Sequence, residues 1–140
     1  MTIQRILVPV DMTEKSLAAV DFAFDLATRF SAETILLHVI EKIEYVTFDE
    51  MKDLYQRLES SAASGLQEFS ERFQENGLTV DCLVTFGHRT QGIVDCAVER
   101  RADLIIMASH RIDPDRPGHD WSTISYGVAI LAPCAVLLMK

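Results

Sequence analysis

The sequence predicts an open parallel β-sheet covered on both faces by helices, and two features of its hydrophobic pattern predict this fold class. Short apolar runs, such as those at 6–10 and 34–39, lack the alternation of polar and apolar residues that marks a half-exposed strand. Segments with an apolar repeat of three to four residues separate these runs, as expected of amphipathic helices. A strict strand–helix order of this kind is typical of doubly wound α/β proteins.

The predicted elements follow one another along residues 1–140, and we expect them to form one domain. The five strands are predicted at 6–10, 34–39, 78–86, 104–109 and 135–139. The four helices are predicted from an N-cap at Thr13 to about residue 30, over 48–76, around 93–98, and around 124–131. The third strand alternates polar and apolar residues, which suggests one less buried face or an edge position.

The helices are predicted from apolar stripes that contain Leu17, Val20, Phe24 and Ala27 in the first, Met51, Leu54, Leu58, Ala62, Leu66, Phe69 and Phe73 in the second, Ile93, Val94, Ala97 and Val98 in the third, and Ile124, Val128 and Leu131 in the fourth. Low helix propensity at 60–65 allows a kink or break in the second helix. Gly77 stands where a C-terminal cap is expected.

Composition excludes several classes of partner. The formal net charge is -8 and the pI is near 4.9, so the chain lacks the clustered cations that nucleic acids and anionic lipids require. No apolar run approaches the length of a membrane span, and the first residues lead directly into a strand rather than a signal peptide. Cys82, Cys96 and Cys134 form no Cys-x-x-Cys pair and are interpreted as reduced, mostly buried thiols. These features predict a cytoplasmic protein.

Motifs along the whole chain resemble the universal stress protein A family. They are Ile6-Leu7-Val8-Pro9-Val10-Asp11, Leu36-Leu37-His38-Val39, Gly87 followed by Ile93-Val94-Asp95, Ala102-Asp103-Leu104-Ile105-Ile106-Met107, and Ala132-Pro133-Cys134 before an apolar last strand. The resemblance implies a Rossmann-like fold related to the adenine nucleotide alpha hydrolases, with five parallel strands in the order 3-2-1-4-5. It also implies a homodimer, and the apolar last strand at 135–139, expected at a sheet edge, is predicted to join the two copies.

Under this strand order, a ligand crevice is expected where the order reverses, between the first and fourth strands. Asp11 follows the first strand there and can accept hydrogen bonds from an adenine or a ribose. It can equally be a helix-entry residue whose carboxylate caps the turn through Thr13. The resemblance places Val39 against the adenine, although a core position at a strand end explains Val39 without any ligand.

The family's phosphate motif is Gly-x-x-Gly, nine residues, then Gly-Ser or Gly-Thr, and this chain lacks its glycines. Ala108 stands at the first glycine and Arg111 at the second. Counting forward from Arg111 places Trp121 at the third glycine and Ser122 at the hydroxyl position. Counting back from Pro133-Cys134 places Ser122 at the glycine and Thr123 at the hydroxyl, and this register is favoured because it also aligns the fourth helix.

Other groups can replace part of the lost glycines' function. Arg111 carries a guanidinium that suits phosphate, and hydroxyls at a helix N-terminus suit an anion. Capping of the fourth helix by Ser122 or Thr123 is the favoured alternative. The nucleotide-binding positions implied by the resemblance are therefore Pro9, Asp11, Val39, Met107, Ala108, Arg111, Ser122 and Thr123.

The acidic loop at 112–121 carries His110, Asp113, Asp115, His119 and Asp120 in or beside it. These side chains can hold a divalent metal, but their spacing matches no metal motif, so an exposed turn built by prolines and a glycine is favoured and no metal site is predicted. Catalytic signatures are absent from the sequence.

The favoured hypothesis is a stress-associated binding or regulatory protein in which nucleotide binding is weak or lost. No cofactor is expected, although ATP with magnesium is possible. One alternative is an ATP-binding member that hydrolyses ATP slowly, and another is a module for protein partners without a small ligand.

Overall fold

The computed structural model describes residues 2–111, 115 and 123–140, and within them five strands alternate with four helices. The elements are β1 (Arg5–Pro9), α1 (Lys15–Phe30), β2 (Glu33–Glu41), α2 (Lys52–Glu75), β3 (Val80–Gly87), α3 (Arg89–Glu99), β4 (Leu104–Ala108), α4 (Ile124–Leu131) and β5 (Ala135–Met139). The strands form one sheet in the order β3-β2-β1-β4-β5, and all pairs are parallel. The predicted fold class and strand order are confirmed.

The helices cover the two faces of the sheet in pairs. One core cluster joins Ile6, Val8 and Leu36 to apolar residues of α1 and α2. The other joins Leu7 and Ile35 to residues of α3 and α4. Because neighbouring residues of β1 and β2 enter opposite clusters, both strands are buried on both faces, which explains their unbroken apolar sequences.

The crevice arises from the way β1 and β4 pair. Only Ile6↔Leu104 and Leu7↔Ile105 are paired between them, whereas β1 and β2 stay in register through Pro9↔Leu37. Beyond these two pairs the carboxyl ends of β1 and β4 separate. The strand order also reverses at this point, because the chain builds outward from β1 to β3 and then crosses back to β4.

The second helix differs from its prediction in two ways. It begins at Lys52 rather than near residue 48, and it runs without a break through 60–65. The low propensity there is overridden by packing, because Ala62 and Leu66 are buried against the sheet. Gly77 adopts a left-handed φ of 72° just beyond the helix, as expected of a C-terminal cap.

Four residues predicted on apolar helix stripes are largely exposed: Leu17, Leu58, Val98 and Leu131. In α1 the buried stripe consists of small residues, namely Ser16, Ala19, Val20, Ala23 and Ala27. Small side chains bring a helix close to the sheet and narrow the face that it buries, so a leucine beside the stripe stays in solvent. The apolar stripes predicted from the sequence were therefore wider than the helix faces that the structure buries.

The structure also tests several smaller predictions from the sequence. The edge position of the third strand is confirmed, although β3 starts at Val80 rather than 78. Thr13 does not cap α1 through its side chain, and Glu14 is the N-cap residue. All three cysteines are free; Cys96 is buried, whereas Cys82 and Cys134 are half-buried. None of the helices in the described residues is long and apolar enough to cross a membrane.

Candidate functional site

A cavity of about 200 Å³ lies at the carboxyl edge of the sheet, in the crevice between β1 and β4. The residues that line it come from the ends of β1, β2 and β4 and from the first turns of α1, α3 and α4. They are Pro9, Val10, Asp11, Lys15, Ser16, Leu37, His38, Val39, Arg89, Ile93, Met107, Ala108, Ser109, His110, Thr123, Ile124 and Ser125. Three helix N-termini therefore point at one cavity, an arrangement that favours an anionic ligand.

The structure brings most of the predicted site residues together. Pro9, Asp11, Val39, Met107, Ala108 and Thr123 all line the cavity. Arg111 is exposed and is not among the described residues that line it. Ser122 lies outside the described residues, as do Asp113, His119 and Asp120 of the acidic loop. No group of three potential metal ligands occurs in the part of the chain that the structure describes.

Asp11 organises the turn between β1 and α1. Its Oδ1 accepts hydrogen bonds from the Thr13 backbone N–H at 2.9 Å, the Thr13 hydroxyl at 2.6 Å and the Ser16 hydroxyl at 2.7 Å. The Asp11 backbone N–H in turn donates to the Ser16 hydroxyl at 3.0 Å. The predicted capping of this turn is confirmed, and Met12 takes a left-handed φ of 65° within it.

These hydrogen bonds also set the charge of Asp11. Burial opposes ionisation, but the hydrogen bonds donated by Thr13 and Ser16 outweigh it, so the pKa of Asp11 lies below its usual value. All three of these hydrogen bonds fall on Oδ1. Asp11 is therefore an ionised carboxylate that the turn holds in place at the cavity, with Oδ2 as a further acceptor on the same group.

On the opposite wall, three hydroxyls form a chain at the start of α4. Ser109 Oγ lies 2.9 Å from Ser125 Oγ, which lies 3.2 Å from Thr123 Oγ1. Thr123 Oγ1 also accepts a hydrogen bond from the Tyr126 backbone N–H at 3.4 Å, so the predicted capping of α4 by Thr123 is confirmed. Ser125 is buried, which fixes the middle of this hydroxyl chain.

Tyr126 ties the β4 end to α4. Its hydroxyl donates to the His110 carbonyl at 2.8 Å, and the two rings meet edge to face with centroids 5.5 Å apart. The Ser109 backbone N–H donates to the Met139 carbonyl at 2.8 Å, which anchors the same segment to β5. The hydroxyl chain is thus mounted on fixed backbone rather than on a free loop.

Two cationic side chains that were not predicted at the site, Lys15 and Arg89, line the cavity. Lys15 stands in the first turn of α1, and Arg89 begins α3, where it pairs with Glu41 at 3.8 Å. The described lining residues thus include two cations and one carboxylate, Asp11, and Glu41 outside the lining is the partner of Arg89. The position of the two cations in the first turn of a helix was the available signal, because helices start at the carboxyl edge of a parallel sheet.

His38 shapes the floor of the cavity and was also missed. Its Nδ1 lies 2.6 Å from the Val10 carbonyl oxygen, and because a carbonyl only accepts, Nδ1 carries the proton. The Val10 backbone N–H donates to the Leu37 carbonyl at 2.8 Å. This pair of contacts keeps the ends of β1 and β2 together at the point where β1 and β4 separate.

Sequence comparison identifies the family of the chain. The chain matches the universal stress protein family over residues 2–140. It belongs to this family. It is 24% identical to the universal stress protein YxiE of Bacillus subtilis, over 97% of this chain and 98% of that protein.

Solved structures with the same fold superpose over the whole chain. The hypothetical protein MJ0577 is 25% identical with a TM-score of 0.85, covering 100% of this chain and 97% of its own. The universal stress protein UspA of Lactobacillus plantarum is 24% identical with a TM-score of 0.79, covering 100% and 99%.

Two further family structures contain adenine nucleotides. One is a universal stress protein in complex with cAMP, 21% identical with a TM-score of 0.72 over 100% of this chain and 98% of that one. The other is the Archaeoglobus fulgidus protein in complex with dAMP, 16% identical with a TM-score of 0.63 over the full length of both chains.

Proposed function

We propose that this chain is an adenine-nucleotide-binding member of the universal stress protein family that favours a monophosphate over ATP. The observation that carries the proposal is the cavity at the point of strand-order reversal, with an ionised Asp11 on one wall and a hydroxyl chain at a helix N-terminus on the other. Relatives in complex with cAMP and dAMP support the choice of an adenine nucleotide.

The apolar part of the cavity suits a base. Val39, Ile93 and Met107 are buried in one core cluster and line the cavity, which Asp11 also lines. An adenine combines a flat apolar face with an amino group that donates hydrogen bonds, and Asp11 supplies an acceptor for that group or for the ribose hydroxyls. We therefore assign the base to this apolar part of the cavity and the sugar to the neighbourhood of Asp11.

The other wall suits one phosphate better than three. Ala108 places a Cβ where the family's motif has bare backbone, and Thr123 already uses its hydroxyl to cap α4. The sequence also carries Asp113, Asp115 and Asp120 in the segment that follows β4, and we expect this negative charge to disfavour a triphosphate. Lys15 and the helix N-termini can neutralise a single phosphate, and the β- and γ-phosphates gain little.

An NMR titration with AMP tests this proposal by location. In ¹H–¹⁵N spectra we expect the backbone signals of Asp11, Val39, Ala108, Ser109 and Ile124 to shift with added AMP. Val80, at the far end of the sheet, serves as an internal control and stays in place. No shifts at millimolar AMP, or shifts confined to residues outside the cavity, would contradict the proposal.

We also propose that the protein acts in the cytoplasm as a homodimer joined through β5. This strand is outermost in the sheet, and α4 beside it in sequence ends in Ile130 and Leu131, which are 81% and 58% exposed. An outer strand with exposed apolar neighbours favours pairing with a second copy. Sedimentation at micromolar concentration should give twice the monomer mass of 15.7 kDa, and a monomer alone would contradict this part of the proposal.

A further inference from the structure

Three glycines lie inside helices, where a glycine is less favourable than an alanine. Each of them lies close to a side chain from another segment of the chain. A Cβ at Gly65 would lie 2.8 Å from Met12 Sδ, one at Gly92 would lie 3.1 Å from Val39 Cγ2, and one at Gly127 would lie 3.3 Å from Thr90 Cγ2. Of these three side chains, Val39 is the one that lines the cavity among the described residues.

The contact between Gly92 and Val39 is tight on both methyl groups. A Cβ at position 92 would meet Cγ2 at 3.1 Å and Cγ1 at 3.2 Å. Val39 is 5% exposed and lies in β2, where it is paired with Thr85 of β3. A β-branched side chain in a strand has few rotamers, so Val39 must shift by a few tenths of an ångström to admit the added methyl group.

We propose that Gly92 is a positioning residue that sets the width of the base end of the cavity, by letting α3 lie directly against Val39. This inference rests on the proposed nucleotide function and adds a determinant of base recognition. Gly92 is not among the described residues that line the cavity, so it acts through Val39. A methyl group at position 92 displaces Val39 toward the ligand and narrows the space for a purine ring.

The test compares Gly92→Ala with Gly127→Ala by isothermal titration with AMP. Gly127 is the matched control, because it is a helix glycine in close contact with Thr90 and neither residue is among the described cavity-lining residues. We expect Gly92→Ala to weaken AMP binding by about tenfold. This factor corresponds to the low end of the usual cost of overpacking, applied to the AMP complex alone. Gly127→Ala should bind AMP like the wild type, and both variants should fold, since the higher helix propensity of alanine offsets part of the close contact.

Two further measurements distinguish a narrower base end of the cavity from other causes of weaker binding. Adenosine, which has no phosphate, should lose affinity in Gly92→Ala by the same factor as AMP, because the change acts on the base. Adding Val39→Ala to Gly92→Ala should restore much of the lost affinity, since it removes the displaced methyl groups. If Gly92→Ala did not fold, Val39→Ile would narrow the same space from the strand, and weaker adenosine binding is again expected.

Different results would overturn different claims. Wild-type affinity for AMP in Gly92→Ala, or in Val39→Ile where that variant is needed, would overturn the role of Gly92 and leave the nucleotide function standing. Equal losses in Gly92→Ala and Gly127→Ala would also overturn it, because the effect would then be general. Failure of the wild type to bind either AMP or adenosine would overturn the proposed function, and this inference with it.

Discussion

The two walls of the crevice hold their polar side chains in place by different hydrogen-bonding arrangements. On the β1 wall, a carboxylate gathers donors from the following turn, and Asp11 Oδ1 accepts three hydrogen bonds. On the β4 wall, Ser109, Ser125 and Thr123 hydroxyls bond to one another at the start of α4. The first wall presents a fixed acceptor, and the second presents hydroxyls that are hydrogen-bonded to one another and can both donate and accept.

This difference explains why a sequence motif can be lost without loss of the site's framework. The β1 wall depends on side-chain hydrogen bonds that the residues themselves specify, and the structure retains them. The β4 wall of the family depends on bare backbone, which Ala108 no longer offers. We therefore expect base and ribose recognition to be retained while triphosphate recognition declines.

The largest expected effect comes from Asp11→Ala. The buried Ser16 hydroxyl and the Thr13 donors lose their acceptor, so the free energy of unfolding should fall by about 2 kcal/mol. AMP affinity should fall as well, because the ligand loses the same carboxylate. Urea denaturation and calorimetric titration measure the two effects. Asp11→Asn keeps an acceptor oxygen and should lose less stability; unchanged AMP affinity in both variants would remove Asp11 from the ligand site.

Rebuilding the β4 wall should produce the next largest change. A variant with Ala108→Gly, Arg111→Gly, Ser122→Gly and Thr123→Ser restores the family's motif while keeping a hydroxyl to cap α4. Each recovered charge-assisted hydrogen bond contributes roughly 1.5–3 kcal/mol, so ATP affinity should rise by about tenfold or more. AMP is the internal control and should gain less. An equal gain for both nucleotides would show that the glycines do not act on the outer phosphates.

Lys15→Gln should have a moderate effect that depends on the phosphate. We expect AMP binding to weaken by about fivefold at low salt, since one cation near the phosphate is removed, and the loss should shrink as salt is added. Adenosine binding should stay unchanged. Lys52→Gln, an exposed lysine outside the described cavity lining, provides the control. A comparable loss for adenosine would place Lys15 near the base instead.

The smallest effect is the pH dependence of the β1 wall. The folded-state pKa of Asp11 lies below its unfolded value, so its ionised form stabilises the fold above the unfolded pKa of about 3.9. The contribution is lost as the pH falls from there through the folded pKa. The stability difference between wild type and Asp11→Asn should be constant above about pH 5 and shrink below about pH 4. A difference that grows on acidification would contradict this sign.

Much of the fold follows from local sequence patterns. The non-alternating runs at Ile6, Ile35 and Ile105 predict strands buried on both faces, and the structure buries all three residues completely. Helix edges are harder, because a stripe residue such as Leu17 is buried or exposed according to how closely its helix approaches the sheet. That distance is set by small residues elsewhere on the helix and by the partner element.

The site was predictable where one segment carries it and not where distant segments meet. Asp11 follows a strand and Thr123 precedes a helix, and the hydrophobic pattern predicts both elements. Their positions at the crevice were therefore expected. Lys15 and Arg89 reach the same cavity from two different helices, and only the three-dimensional packing brings them together. The same holds for Gly92, whose contact with Val39 joins residues that are far apart in the sequence.

Isothermal titration of the purified protein with AMP and with ATP and magnesium tests the central claim most directly. The central claim is that the base and ribose side of the crevice is intact and that the triphosphate side is not. We predict that the protein carries no ATP after purification, binds ATP no tighter than high micromolar concentrations, and binds AMP at least as tightly. ATP that remains bound through purification, or an affinity for ATP well above that for AMP, would contradict this claim.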